Sequence, residues 1–271
     1  MKKILVIPNK NNLEELLNTK IDGLLLPIKD LSCNFDKYFT IEEIKKVLNQ
    51  TSKDIYVIIN KIMHNNDLIK LEQTLINLNK LNIEKILFYD LSIMNICKRL
   101  NIKKDLVIYQ EHLNAGTYSN NFYKKQGINY AVITNDITLE EINKISKNID
   151  IMLVSYGYLP IFYSRRYLIS NYLEYINKDK TSDLYYIKHL DKKYPIREEK
   201  EGCVIYTHKP INLINEIDKI NTNYLILNSF NIDNNTFFNV LNDYINSNKT
   251  GEDNYLGFLK EKTVYKVEDY E

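Results

Sequence analysis

Two adjacent arginines, Arg165 and Arg166, are the residues of this sequence best suited to binding an anion. They stand in "YGYLPIFYSRRYLISNYLEY" (156–175), and the spacing of apolar residues predicts that they begin a helix at about 165–176. Because the helix dipole disfavours cations at a helix N-terminus, an anionic partner would offset their cost there. That partner is either a carboxylate of the protein or a phosphate or carboxylate of a ligand.

Tyrosines surround the two arginines and suggest a second kind of ligand. Their rings are either ordinary core residues or surfaces on which nucleobases stack, and "FYSRRY" combines the aromatic and basic residues that bind single-stranded nucleic acid. Tyr156 and Ser164 are therefore candidate ligand- or RNA-binding residues beside Arg165 and Arg166. Tyr163 is a candidate for a catalytic role.

Further candidate catalytic groups follow short apolar runs elsewhere in the chain. Asn60, His64 and Asp90 also have structural explanations, as a turn residue, an exposed loop residue and a helix N-cap. Glu111 and His112 could form an acid–base pair, but neighbours on a strand point to opposite faces, so only one is expected to face a site. The chain contains no HExxH or GxSxG motif that would support a hydrolase.

Eight short runs rich in apolar and β-branched residues predict the elements that hold these groups. Helical patterns separate the runs, and repeated βα units of this length are typical of a parallel sheet. Their tight spacing favours a (β/α)8 TIM-like barrel, in which functional groups lie at the carboxyl ends of the strands. The sequence leaves open an incomplete or distorted barrel, and also a doubly wound sheet, although no GxGxxG or Walker loop supports nucleotide binding in the latter. The predicted strands are 3–8, 22–27, 54–60, 84–90, 105–110, 130–135, 149–157 and 223–230.

The pattern changes between the seventh and eighth strands. "DLYYIKHL", "YPIRE" and "CVIYTH" predict a small antiparallel insertion at about 183–208, and "PINLINEIDKI" predicts a helix after it. We therefore expect one barrel over 1–250 and a loose polar tail over 251–271.

Composition excludes several classes of protein. The 271 residues carry a net charge of +1, so binding of nucleic acid would need a local basic patch. Three scattered cysteines fit a reducing compartment and predict no disulfide framework and no metal site of their own. The apolar runs are too short for a signal peptide or a membrane span, which predicts a cytoplasmic protein.

The segment at 156–175 resembles the signature of the U32 family, named for collagenase-like peptidases. Other segments agree with the family in order, among them "VIINKIMHNNDL" (57–68), "EHLNAGTYSNNFYKKQGI" (111–128) and "KYPIREEKEGCVIYTHKPINLI" (193–214). The likeness is greatest to the short paralogues of Gram-positive bacteria that are linked to hydroxylation of the tRNA wobble uridine. The signature positions that match are Gly157, Leu159, Tyr163, Ser164, Arg166 and Ser170.

This chain departs from the family pattern at the positions of its iron–sulfur ligands. Pro160 and Tyr167 stand where the family has cysteines, and Met152 stands where it has a glutamate. The resemblance therefore implies a U32-type protein without its own cluster, which assists wobble-uridine hydroxylation with tRNA and a second U32 paralogue as partners. A U32 peptidase and a catalytically degenerate barrel that binds an anion or RNA are the alternatives.

Overall fold

Eight parallel strands close into a barrel in the computed structural model, which describes residues 2–251 and 253–261. The eighth strand, β13 (Tyr224–Asn228), pairs with both β7 (Asp150–Gly157) and β1 (Lys3–Ile7) and so closes the ring. The predicted barrel is confirmed, and it is complete. Its elements up to the seventh strand are β1 (Lys3–Ile7), α1 (Leu13–Leu17), β2 (Gly23–Pro27), α2 (Ile41–Gln50), β3 (Asp54–Ile59), α3 (Leu68–Asn79), β4 (Lys85–Phe88), α4 (Ser92–Arg99), β5 (Asp105–Tyr109), α5 (Thr117–Lys125), β6 (Tyr130–Ile133), α6 (Leu139–Ile145) and β7 (Asp150–Gly157).

Alternation along each strand divides the core into two parts. Side chains of one parity fill the barrel interior, and those of the other parity pack beneath the helices. In β3, for example, Tyr56 and Ile58 point inward whereas Val57 and Ile59 lie under the helical layer. Burial on both faces explains why the strands read as unbroken apolar runs.

Capping boxes fix the start of two helices. Thr40 accepts a hydrogen bond from the backbone N–H of Glu43, whose carboxylate in turn accepts one from the Thr40 backbone. Thr138 and Glu141 repeat this arrangement at α6. Both follow the S/T-x-x-E sequence pattern, in which each residue satisfies a backbone donor that the helix leaves open.

A four-stranded antiparallel sheet lies between the seventh and eighth barrel strands. Its strand order is β8-β11-β10-β9, and β8 was missed by the sequence prediction. One face of this sheet carries α7, and the other packs on the end of the barrel through Val204, Tyr206 and Phe230. The elements are β8 (Pro160–Ser164), α7 (Leu168–Tyr175), β9 (Leu184–His189), β10 (Lys192–Glu199), β11 (Gly202–Tyr206), β12 (Ile211–Asn212), β13 (Tyr224–Asn228) and α8 (Asn234–Asn246).

Two sequence predictions are wrong in this region. The helix expected at 165–176 begins at Leu168, so Arg165 and Arg166 precede it and do not form its first turn. Residues 210–220 form β12 and a short 3-10 turn, because Leu213, Ile214 and other apolar residues there are buried on all sides.

The end of the described chain also differs from the expected loose tail. Leu259 is buried, and its carbonyl accepts a hydrogen bond from the backbone of Leu139 at the start of α6. Residues 253–261 therefore pack against the barrel. The rest of the predicted tail, residue 252 and residues 262–271, lies outside the described residues.

Replacing Gly202 tests how closely β11 approaches β8. Its φ is +127°, and a Cβ there would lie 2.1 Å from the Ser164 carbonyl oxygen and 2.7 Å from the Arg165 Cα. We expect Gly202→Ala to lower the free energy of unfolding by about 2–4 kcal/mol, because strain and a backbone clash act together. Chemical denaturation measures the change. Gly251→Ala is the control, since nothing lies within 4 Å of its added methyl, and equal stability of the two variants would contradict the expectation.

Candidate functional site

A cavity of about 150 Å³ opens at the carboxyl ends of β2 to β5, beneath one edge of the antiparallel sheet. This is the end of a barrel at which functional groups are expected. Barrel loops supply most of the wall, and the sheet supplies the remainder. The lining residues are Cys33, Asn34, Asn60, Lys61, Ile62, Tyr89, Gln110, Glu111, His112, Leu113, Tyr163, Arg165 and Glu201.

Arg197 holds the sheet against the barrel. Its guanidinium lies 2.9 Å from Asp36, in the loop after β2, and 2.6 Å from Glu199, at the end of β10. Glu199 also accepts hydrogen bonds from the Tyr38 hydroxyl at 2.6 Å and from the Asn34 backbone at 3.0 Å. Since Arg197 is 8% exposed, these charges are largely removed from water and must be paired with one another.

A second buried carboxylate anchors α7 to the sheet. Glu198 accepts hydrogen bonds from the backbone N–H groups of Ile169 and Ser170, and from the Cys203 thiol at 3.1 Å. Lys180 lies 3.2 Å away. Burial acts to raise the pKa of Glu198, but these bonds outweigh it and lower the pKa to about 2. The carboxylate therefore stays ionised and fixes α7 directly after Arg165 and Arg166.

Arg165 reaches the lip of the cavity and meets His64. Its guanidinium lies 2.6 Å from His64 Nε2, and a guanidinium can only donate, so this nitrogen is the acceptor of a neutral imidazole. Neither Arg165 nor Arg166 has a carboxylate within 4.0 Å among residues 2–251 and 253–261. The intramolecular ion pair considered for these arginines is therefore not formed in the described chain.

The other predicted binding residues lie away from the cavity. Tyr156 is buried against Phe237 of α8 and does not line it. Ser164 accepts a hydrogen bond from the backbone N–H of Arg166, whose own side chain is exposed. Only Tyr163 and Arg165 of the signature segment belong to the cavity lining.

Glu111 occupies an unusual backbone conformation at the cavity. It has a φ of +41° in a 3-10 turn after β5, a region that residues with a Cβ rarely adopt. Burial raises the pKa of Glu111, and His112 and the Asn60 amide offset the rise only in part. Because residues 111–113 form a turn and not a strand, Glu111 and His112 both line the cavity, contrary to the expectation that only one would.

Asn60 and Asp90 have structural partners. The Asn60 amide accepts from the Cys33 backbone N–H at 3.0 Å and donates to the Cys33 carbonyl at 3.2 Å, which fixes the loop after β2. The Asp90 carboxylate accepts from the backbone of Ser92 and of Met63, and Asp90 does not line the cavity. Asn60 thus combines a structural and a lining role, whereas Asp90 has a structural one.

The sequence prediction missed Cys33, Lys61 and Glu201 in the lining. Lys61 directly follows a predicted strand end and could have been found by the rule that located Asn60. Cys33 lies six residues beyond β2, and Glu201 lies in the turn between β10 and β11, which no strand-end rule identifies. Lys61 is 3.6 Å from Glu201, so an ion pair connects the barrel to that turn.

The three cysteines do not form the ligand set of an iron–sulfur cluster. Cys33 lines the cavity, Cys97 lies on the buried face of α4, and the Cys203 thiol donates a hydrogen bond to Glu198 under α7. Pro160 and Tyr167 offer no sulfur in place of the cysteines of related signatures. Three thiols at three separate places are fewer than the four thiolates that a cluster usually needs.

The sequence that builds this site matches the model of a known protein family. The model of peptidase family U32 matches residues 9–233, which include seven of the eight barrel strands, all but β1, and the antiparallel sheet. The chain belongs to the U32 family. The resemblance inferred from the signature segment is therefore confirmed.

Curated relatives of this U32 chain include two proteins of Bacillus subtilis (strain 168). The chain is 26% identical to its tRNA hydroxylation protein P2 over 197 residues, which cover 67% of this chain and 63% of the relative. It is 28% identical to its tRNA hydroxylation protein P1 over 140 residues, which cover 50% of this chain and 33% of that relative. The match thus spans less than two thirds of either relative.

Two solved structures share the fold. A U32 peptidase superposes with a TM-score of 0.53 at 9% identity, covering 84% of this chain and 92% of the other. Orotidine 5'-monophosphate decarboxylase from Methanocaldococcus jannaschii superposes with a TM-score of 0.52 at 12% identity, covering 92% and 99%. At such low identity these likenesses establish the barrel alone. Among the described residues, the helices are all too short or too polar to cross a bilayer.

Removal of the Arg197 side chain tests whether it docks the sheet. We expect Arg197→Ala to lower the free energy of unfolding by about 3–5 kcal/mol, because Glu199 and Asp36 lose the cation that offsets their burial. Urea denaturation measures the loss. Arg99→Ala is the matched control, since Arg99 pairs with Glu72 on the surface, where such a pair contributes about 1 kcal/mol or less. A loss at Arg197 no larger than that at Arg99 would contradict the docking role.

Proposed function

We propose that this U32 protein acts in the hydroxylation of the wobble uridine of tRNA. The similarity to tRNA hydroxylation proteins P2 and P1 is the observation that carries the proposal. The cavity is compatible with it, because tyrosine rings and an arginine without a carboxylate partner suit a nucleotide. An enzyme acting on tRNA would work in the cytoplasm.

The role of this chain in the proposal is to bind and position the nucleotide. Arg165, with or without Arg166, holds a phosphate at the cavity lip, and Tyr163 and Glu111 contact the base. Adding a hydroxyl group to a ring carbon is an oxidation, and the residues at the signature positions Pro160 and Tyr167 cannot ligate an iron–sulfur cluster. We therefore assign the oxidation to a partner, and a second U32 paralogue is the partner that we propose.

The peptidase alternative lacks a suitable nucleophile at the cavity. Burial and the nearby Glu111 raise the pKa of the Cys33 thiol, which therefore stays protonated. A thiol is a far weaker nucleophile than a thiolate, and cysteine peptidases lower this pKa. The Cys33 site thus has the opposite electrostatics to a peptidase nucleophile.

Deletion of the gene tests the proposed function. We expect tRNA from the deletion strain, analysed as nucleosides by mass spectrometry, to lose hydroxyuridine and its derivatives at the wobble position. Where a paralogue is present, a double deletion accompanies the single one. Unchanged hydroxyuridine in the double deletion would rule out the function.

Complementation tests Arg165 within the same strain. Wild-type protein restores the modification, and Arg165→Ala at matched expression restores it at least about fivefold less, because a charge-assisted phosphate contact contributes about 1.5–3 kcal/mol. Lys125→Ala, which removes an exposed cation at the end of α5, should behave as wild type. Equal restoration by the two variants would remove Arg165 from the proposed site.

A further inference from the structure

Glu111 presents a carboxyl group to the cavity at a conformational cost. A positive φ at a residue other than glycine is energetically unfavourable and is retained mainly where the surrounding structure requires it. Here the turn that contains Glu111 directs it into the lining, where the Asn60 amide is its neighbour. Asn60 is itself held by both backbone groups of Cys33, so the carboxyl sits among fixed atoms.

The aromatic rings of Tyr163 and Tyr89 line the same cavity, and a hydrogen bond holds the first of them in place. The Tyr163 hydroxyl donates to the Glu201 carbonyl at 3.1 Å, which fixes this ring to the turn between β10 and β11. The second ring is that of Tyr89, whose backbone carbonyl accepts a hydrogen bond from the Gln110 amide at 3.2 Å. Tyrosine rings are surfaces on which bases stack. The cavity volume leaves room for a single-ring base.

The lip of the cavity carries the cation that such a base requires. A base inserted into the cavity leaves its phosphate at the entrance, where Arg165 donates, among the described residues, only to the imidazole of His64. A phosphate oxygen is a stronger acceptor for a guanidinium than a neutral imidazole. A carboxyl group, tyrosine rings and a cation therefore line one cavity.

We propose that this cavity binds one pyrimidine base turned out of an RNA strand, with the Glu111 carboxyl on the hydrogen-bonding edge of the base and Arg165 at its phosphate. The inference deepens the proposed function and rests on it only for the choice of RNA. Turning a base out of its stack costs least where the nucleotide is already single-stranded, as in a loop.

The electrostatics of Glu111 are consistent with this contact. Burial raises its pKa, which favours the carboxylic acid form with one O–H donor and one carbonyl acceptor side by side. Uracil presents an N–H donor next to a carbonyl acceptor, so two hydrogen bonds can form with the acid. An ionised carboxylate can only accept and would leave the uracil carbonyl without a donor. Glutamine has the same donor and acceptor arrangement as the acid.

Affinity for two hairpin RNAs tests the inference. One hairpin carries a uridine in its loop, and the other has an abasic nucleotide at that position and is otherwise identical. Fluorescence anisotropy should show that wild-type protein binds the uridine hairpin at least about tenfold more tightly. Equal affinity for the two hairpins would overturn the inference.

Substitutions of Glu111 separate hydrogen bonding from charge. We expect Glu111→Gln to keep the preference for uridine within about threefold, and Glu111→Ala to lose most of it. Glu84→Gln is the control, because it removes a negative charge at the opposite end of the barrel, just before β4. A Glu111→Gln protein as defective as Glu111→Ala, with both folded by circular dichroism, would contradict the edge contact.

Substitutions of Tyr163 test whether a base binds in the cavity while Glu111 is left unchanged. Their outcome therefore does not depend on how a Glu111 variant folds. Tyr163→Phe keeps the ring and should keep the preference for uridine, whereas Tyr163→Leu should reduce it about tenfold. Equal preference in these two variants would contradict a stacked base. If wild-type protein prefers uridine but the deletion strain keeps its hydroxyuridine, the inference stands and the proposed function fails. If the deletion strain loses its hydroxyuridine but the wild-type protein shows no preference for uridine, the proposed function stands and the inference is overturned.

Discussion

The buried ion pairs of Arg197 determine whether this barrel has a functional cavity. Arg197 connects the antiparallel sheet to the loop after β2 through Asp36, and its guanidinium carbon lies 5.5 Å from the centre of the Phe230 ring after β13. Asp36 also accepts from the backbone of Asn231, so three parts of the chain meet at one cation. Since buried charges need their partners, the sheet and the barrel end form one cooperative unit.

Docking of the sheet gives the cavity the groups that the barrel does not supply. The turn after β10 brings Glu201 to Lys61 and accepts a hydrogen bond from the Tyr163 hydroxyl. Arg165 comes directly after β8, the strand that contains Tyr163. Gly202 allows this close approach, because any Cβ there would clash with β8. The barrel contributes the carboxyl and amide groups of the cavity floor, while the sheet contributes an aromatic ring and a guanidinium at its lip. The signature segment is thus part of a composite site.

Local patterns predicted the barrel well because each of its strands is buried on both faces and each βα unit repeats the same spacing. They failed where non-local contacts decide the structure. β8 pairs with β11, some forty residues away, and Arg197 finds Asp36 across a still longer separation, so neither partner is visible in a short window. The strand-end rule located Asn60 and Glu111 but could not show that Tyr156 is buried against Phe237, since that contact depends on how α8 packs.

Cross-linking of RNA tests most directly whether this composite cavity is where a base binds. The hairpin would carry 4-thiouridine in its loop, be irradiated in complex with the wild-type protein, and be mapped by mass spectrometry of the linked peptides. The account predicts links to the lining residues Cys33, Tyr89 or Tyr163, and their suppression by an excess of the unlabelled uridine hairpin but not by the same excess of the abasic hairpin. Cross-links found only on the outer helices, in a complex whose RNA binds with undiminished affinity, would contradict it.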